Sequence, residues 1–269
     1  MNEAEAIACD VETTMKYVVR GEKATFHAGD RAKSYWPADE HPVTIHDVRP
    51  VRESLSFDRN GFLVVDEPTD VTEFTDADEL ARYQRQTEAL VMRLTGADKV
   101  VSFGPILRTN ATGAHSHNQP AHGAHVDYGA RTVADFTRDM LPEDEAERRL
   151  KGRHMLLNVW RPIVMVESAP FAVCDASTVK REDLFDSEIV GGLGDFNRRS
   201  LWGFNLAWHP GHRWYWVPHM QPWEVLVFKL FDSNPDAVQF TAHSAFEDPN
   251  TPPDAAPRQS IEVRTIAYL

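Results

Sequence analysis

Residues 115–129 read HSHNQPAHGAHVDYG, and four of the chain's twelve histidines, His115, His117, His122 and His125, fall within them. Asn, Pro and Gly make the first part of this stretch a loop. The chain is expected to enter a strand near Ala124, and that strand carries His125 and Asp127. Residues i and i+2 of a strand point to one face, so an imidazole and a carboxylate are offered together to one metal ion. A His-x-Asp pair alone also reads as a surface turn, and a metal site needs a third ligand from elsewhere.

That ligand is found toward the C-terminus. His243 lies in TAHSAF (241–246), and Arg258-Gln259-Ser260 opens the last expected strand. Arg258 and Ser260 share a face, and a guanidinium fork beside a hydroxyl is a good seat for a carboxylate. Two His and one carboxylate form the facial triad of non-haem iron(II) oxygenases. His-x-Asp, a distant His and then Arg-x-Ser is the ordered signature of 2-oxoglutarate-dependent iron oxygenases. Alternatives stay open. His209, His212 and His219 compete with His243 for the distal position, although none is followed closely by Arg-x-Ser. Arg264 lies on the same strand face as Arg258, so either could hold a carboxylate; the other role for Arg264 is an ion pair with Glu262. His115, His117 and His122 line the metal loop, hold a second metal or stand exposed.

Outward from these motifs the chain reads mostly as strands. They are expected over residues 16–19, 43–48, 54–65, 99–108, 154–166, 171–174, 201–208, 213–217, 224–231 and 260–268. Asp58-Arg59-Asn60-Gly61 and the Pro-Gly of WHPGHR (208–213) read as hairpin turns. One long amphipathic helix is expected over 77–95, capped by Thr75 or Asp76 and ended by Gly96. Shorter helices are expected over 133–140 and 142–150. This pattern predicts a mainly β fold with flanking helices, a double-stranded β-helix (jelly-roll, cupin-like) core. No linker divides the chain, so one domain is expected over 1–269, with strands and a buttressing helix in 1–97 and the jelly roll in 98–269.

Lys plus Arg number 28 and Asp plus Glu 41, a net charge of −13. Such an acidic chain argues against nucleic acid and anionic lipid as partners. Cys9 and Cys174 are the only cysteines, which excludes a disulfide scaffold and suits a reducing compartment. With no signal-like start and no long apolar run, a cytoplasmic location is expected. The partner is then a small molecule, and a homodimer is among the assemblies the sequence allows.

The segments NVWRPI (158–163), PFAVCD (170–175), EVLVFKLFDS (224–233) and HSAFEDPNTPPDAAPRQSIEVRTIAYL (243–269) carry a family resemblance. They resemble the hydroxylase/desaturase family that includes CmcJ-like proteins of cephamycin biosynthesis and fungal gibberellin desaturases. The resemblance covers roughly residues 95–269. It implies Fe(II), 2-oxoglutarate and O2, with His125, Asp127 and His243 on iron. It implies Arg258 and Ser260 on the far carboxylate of the co-substrate. Hydroxylation, desaturation or cyclisation of a secondary metabolite is the implied activity.

Asn158 and Trp160 share one strand face and are candidates for the co-substrate pocket, although Trp160 also reads as core. Arg108 is a candidate contact for an anionic substrate and equally a surface residue. Tyr128 and Trp216 are candidates for an aromatic substrate wall. Two other classes remain: a cupin-like metal enzyme that uses the same triad without 2-oxoglutarate, and a non-catalytic barrel that binds a small ligand.

Overall fold

Alternating side chains build two facing sheets in the computed structural model, which describes residues 9–27, 31–113, 119–191 and 201–269. Strands are numbered in chain order. The larger sheet runs β1 (Val11–Val18), β3 (Ala38–Asp47), β11 (Trp214–Trp216), β8 (Phe171–Cys174), β13 (His243–Ala245), β6 (His125–Val126), β10 (Leu201–Leu206), β9 (Leu184–Val190) and β2 (Ala24–His27). The smaller runs β4 (Phe62–Asp66), β12 (Glu224–Asp232), β7 (His154–Pro162), β14 (Gln259–Tyr268) and β5 (Lys99–Thr109). This is the mainly β, jelly-roll architecture with flanking helices that the pattern predicts.

The smaller sheet is covered on both faces, and period-2 alternation sorts its side chains. Every residue of β7 is buried. Leu157 and Val159, with Val225 and Val227 of β12 and Ala267 of β14, pack in one cluster with Leu90 and Val91 of helix α1 (Ala77–Thr95). The intervening residues, Asn158 and Trp160 on β7, Phe228 on β12 and Arg264 on β14, turn to the space between the sheets. Helix α1 forms where the apolar spacing places it. The Asp76 carboxylate accepts from the Asp78 and Glu79 amides, and Gly96 closes the helix at φ 72°. Two shorter helices, α2 (Ala130–Met140) and α3 (Glu143–Arg149), follow β6.

Three expectations need correction. Residues 54–65 are not a hairpin: Arg49–Ser54 is a 3-10 helix opened by Pro50, and the turn after it leads into β4 alone. WHPGHR is a turn but joins no pair of neighbours. β10 and β11 are separated by β6, β13 and β8, so the turn carries the chain across the sheet. Strands β2 and β9 were not expected; they pair in parallel at the sheet edge. No helix among the described residues is long and apolar enough to cross a membrane.

Candidate metal and co-substrate site

Strand pairing brings the separated candidate ligands together. His243 of β13 is directly opposite His125 of β6, and directly opposite residues share a sheet face. Their ring centroids lie 4.4 Å apart. His125 Nδ1 lies 2.7 Å from the Gly123 carbonyl and His243 Nδ1 lies 3.2 Å from the Thr241 carbonyl. A carbonyl can only accept, so each Nδ1 donates and each Nε2 keeps its lone pair for a metal. Both Nε2 atoms face one oxygen, Asp127 Oδ1, at 3.4 Å from His125 and 3.8 Å from His243. Gly203 of β10 makes room for this turn of chain: a Cβ there would stand 2.3 Å from the Asp127 and Val126 carbonyls.

Charge is arranged around this triad. Burial opposes ionisation of Asp127, but Arg264 and the two imidazoles outweigh it and hold the carboxyl well below its usual range. Burial, and then His125, push His243 down toward the neutral form a metal requires. Arg264 donates to Asp127 and to Glu262, and Glu262 also accepts from Arg108. Arg258 differs. It is 1% exposed, and its Nη1 donates to the Ala169 carbonyl. No carboxylate pairs with it among the described residues. Burial, helped by Arg108 and opposed by Glu262, brings its guanidinium down to about 9.

One cavity joins these groups. His125, Asp127 and His243 line it together with Arg108, Glu262 and Arg258, and Ala121, Trp160 and Phe171 complete its walls. Trp160 and Phe171 stack with centroids 5.0 Å apart, and the Arg258 guanidinium lies 5.6 Å over the Trp160 ring. Several buried polar atoms have no partner: Arg258 Nε, Ser260 Oγ and both amide atoms of Asn158. Buried polar groups are normally satisfied, so the orphans Arg258 Nε and Ser260 Oγ, two residues apart, fit an anionic ligand, whereas Asn158 stands opposite Arg264 and outside the cavity's lining. Two imidazole nitrogens and one carboxylate oxygen likewise fit Fe(II).

Of the residues singled out in the sequence, Arg108 and Trp160 line this cavity, whereas Tyr128 and Trp216 do not. Tyr128 alternates away from Asp127 and packs edge-on against Phe136 beneath Arg264. Trp216 packs on Phe246 and donates to the Cys9 carbonyl. His122 lies 3.6 Å from Glu247, while His115 and His117 lie outside the described residues. His209 and His212 gather with Asp183 in a second cluster. There Arg20 already neutralises the carboxylate at 2.7 Å, and His209 Nδ1 accepts from the Gly211 amide. A residue with no local signal is Asn205. It pairs directly with His125, and its buried Nδ2 has no partner.

Fold and site define a non-haem Fe(II)/2-oxoglutarate-dependent oxygenase of the hydroxylase/desaturase kind, and the chain belongs to that family. The model of the oxidoreductase/YMDC permease-like domain matches residues 10–268. The chain is 34% identical over 235 residues to the Fe(II)/2-oxoglutarate-dependent dioxygenase nvfI of Aspergillus novofumigatus, covering 85% of this chain and 83% of that protein. It is 31% identical over 248 residues to the hydroxylase/desaturase CTB9 of Cercospora beticola, with coverage of 84% and 76%. A solved structure of the iron and alpha-ketoglutarate-dependent endoperoxidase NvfI superposes with a TM-score of 0.88 at 28% identity, over 98% of this chain and 99% of that one.

Proposed function

We propose that His125, Asp127 and His243 hold Fe(II), and that Arg258, Ser260 and Asn158 seat 2-oxoglutarate, while a secondary metabolite is hydroxylated, desaturated or cyclised. The observation that carries this reading is Arg258, a buried guanidinium without a carboxylate partner on the wall of the triad's own cavity. A dicarboxylate chelated at the metal would present its far carboxylate to it. Arg258 offers its unpartnered Nε–H and its charge, and Ser260 offers an unpartnered hydroxyl from the same face. Arg264 is engaged at Asp127 and Glu262, which favours Arg258 over it for this role.

Bound iron and 2-oxoglutarate supply oxygen activation and the oxidising equivalents for attack on a substrate C–H bond. The chain's own residues supply position and dryness. The two Nδ1–carbonyl bonds fix both ligand rings. The Trp160–Phe171 stack and Phe228, whose ring lies 4.7 Å from that of His243, exclude water around the metal. Arg108, at the same wall and held there by Glu262 and the Gln119 carbonyl, is our candidate contact for an anionic group of a substrate. We read residues 1–269 as one oxygenase domain, since both sheets contribute to the cavity.

The test is iron-dependent turnover of 2-oxoglutarate. His125→Ala and Asp127→Ala are each expected to abolish succinate formation while the protein stays folded by circular dichroism. Succinate at the wild-type rate in both variants would refute the ligand assignment. Substrate oxidation without stoichiometric succinate would favour the cupin-like alternative.

A further inference from the structure

The Asp127 carboxylate uses its two oxygens differently. Oδ1 faces both ligand imidazoles at 3.4 and 3.8 Å. Oδ2 accepts from Arg264 Nε at 3.1 Å and from Nη2 at 2.9 Å. The guanidinium is itself held by a second carboxylate and an aromatic ring. Nη2 also donates to Glu262 Oε1 at 3.0 Å, and the group lies 5.2 Å over the Tyr128 ring. Glu262 Oε1 is held in turn by Arg108 Nε and Nη2 at 3.2 and 2.9 Å. Arg264 is 2% exposed and Glu262 is 4% exposed. Four side chains thus alternate in charge from the cavity wall to the metal ligand.

A free carboxylate can grip a cation with one oxygen or with both. The second mode would occupy one more metal position. An octahedral ion held by three protein atoms keeps three positions, and a chelating co-substrate needs two of them. A two-oxygen Asp127 would therefore compete with the co-substrate or with dioxygen. We infer that Arg264 is a positioning residue that confines Asp127 to the metal through Oδ1 alone, keeping open the position that co-substrate and oxygen require. Glu262 and Arg108 hold Arg264 in place for this task. The inference rests on the reading of the triad and of 2-oxoglutarate given above.

Cobalt(II) is a suitable probe, because its visible spectrum reports coordination and it does not turn over. Wild type, Arg264→Met and the double variant Arg264→Met/Glu262→Gln are loaded with cobalt and titrated with 2-oxoglutarate by calorimetry. The double variant removes one charge of each sign, so it tests the inference even if the single variant fails to fold. Both variants are expected to bind one cobalt with an altered spectrum. Their 2-oxoglutarate affinity is expected to fall by about the 10–100-fold that losing a group that orients metal ligands typically costs in metal affinity or activity. A wild-type spectrum with 2-oxoglutarate affinity within about twofold of wild type, set against that 10–100-fold expectation, would overturn the inference alone. Failure of cobalt-loaded wild type to bind 2-oxoglutarate would overturn the proposed function and this inference with it.

Discussion

Arg258 shows most plainly what a single residue contributes. Its guanidinium is buried without a carboxylate, so its charge is only weakly stabilised, and burial brings it down to about 9. Binding a dicarboxylate requires the charged form. Below about pH 9 that form dominates and binding is at full strength; as pH rises through about 9 the proton leaves and the attraction is lost. 2-Oxoglutarate affinity of the metal-loaded protein is therefore expected to decline above pH 9, well before an ordinary arginine would titrate. A flat affinity from pH 8 to 10 by calorimetry would contradict this. The sequence made the Arg-x-Ser pair legible because period 2 places both residues on one face. It could not decide between Arg258 and Arg264, because the partner that engages Arg264 is Asp127, 137 residues away. Asn205 was invisible for the same reason: its place beside His125 exists only once β6 pairs with β10.

Elements were legible where the hydrophobic period ran long enough to be seen. Helix α1 carries its own cap, stripe and stop, and it forms at the expected residues. Strands β7, β12 and β14 were visible as apolar runs. β13, three residues long, was too short to show alternation, and β6, expected near Ala124, is only two residues long, yet the two carry two of the three proposed ligands. The failed hairpins have one cause: a turn signal specifies reversal of the chain, whereas pairing is decided by which strand lies alongside. Strand β12 also holds a buried charge pair that composition conceals. Lys229 and Asp232 have fully buried side chains and lie 2.8 Å apart, and Arg153 also reaches Asp232. Burial opposes ionisation of Asp232, yet bonds from Arg153 and Lys229 hold it below its usual range. Asp232→Asn would leave the buried Lys229 with only the more distant, exposed Asp58 carboxylate at 3.9 Å, so it is expected to cost about 3 kcal/mol of stability, the lower end of the cost of breaking a buried pair. Urea unfolding checks this, and a loss near zero would show that the pair relaxes into solvent.

At the scale of the whole molecule, the site is a product of two sheets meeting. The larger sheet supplies His125 and His243 side by side, with Asp127 just beyond the end of β6. The smaller sheet supplies Arg258, Ser260 and Asn158 on or beside β14 and β7, together with Arg264, which reaches across to Asp127. The net charge of −13 argues against polyanionic partners without pointing to a site. The basic groups Arg108 and Arg258 stand instead on the wall of the cavity that the two sheets enclose. Anaerobic titration of 2-oxoglutarate into the Fe(II)-loaded protein, read by calorimetry, tests this most directly. Wild type is predicted to bind one equivalent only when iron is present, and Arg258→Met to bind more weakly by about 3–5 kcal/mol, the usual cost of unpairing a buried charge. Binding that ignores iron, or an Arg258→Met protein that binds as tightly as wild type, would contradict the account.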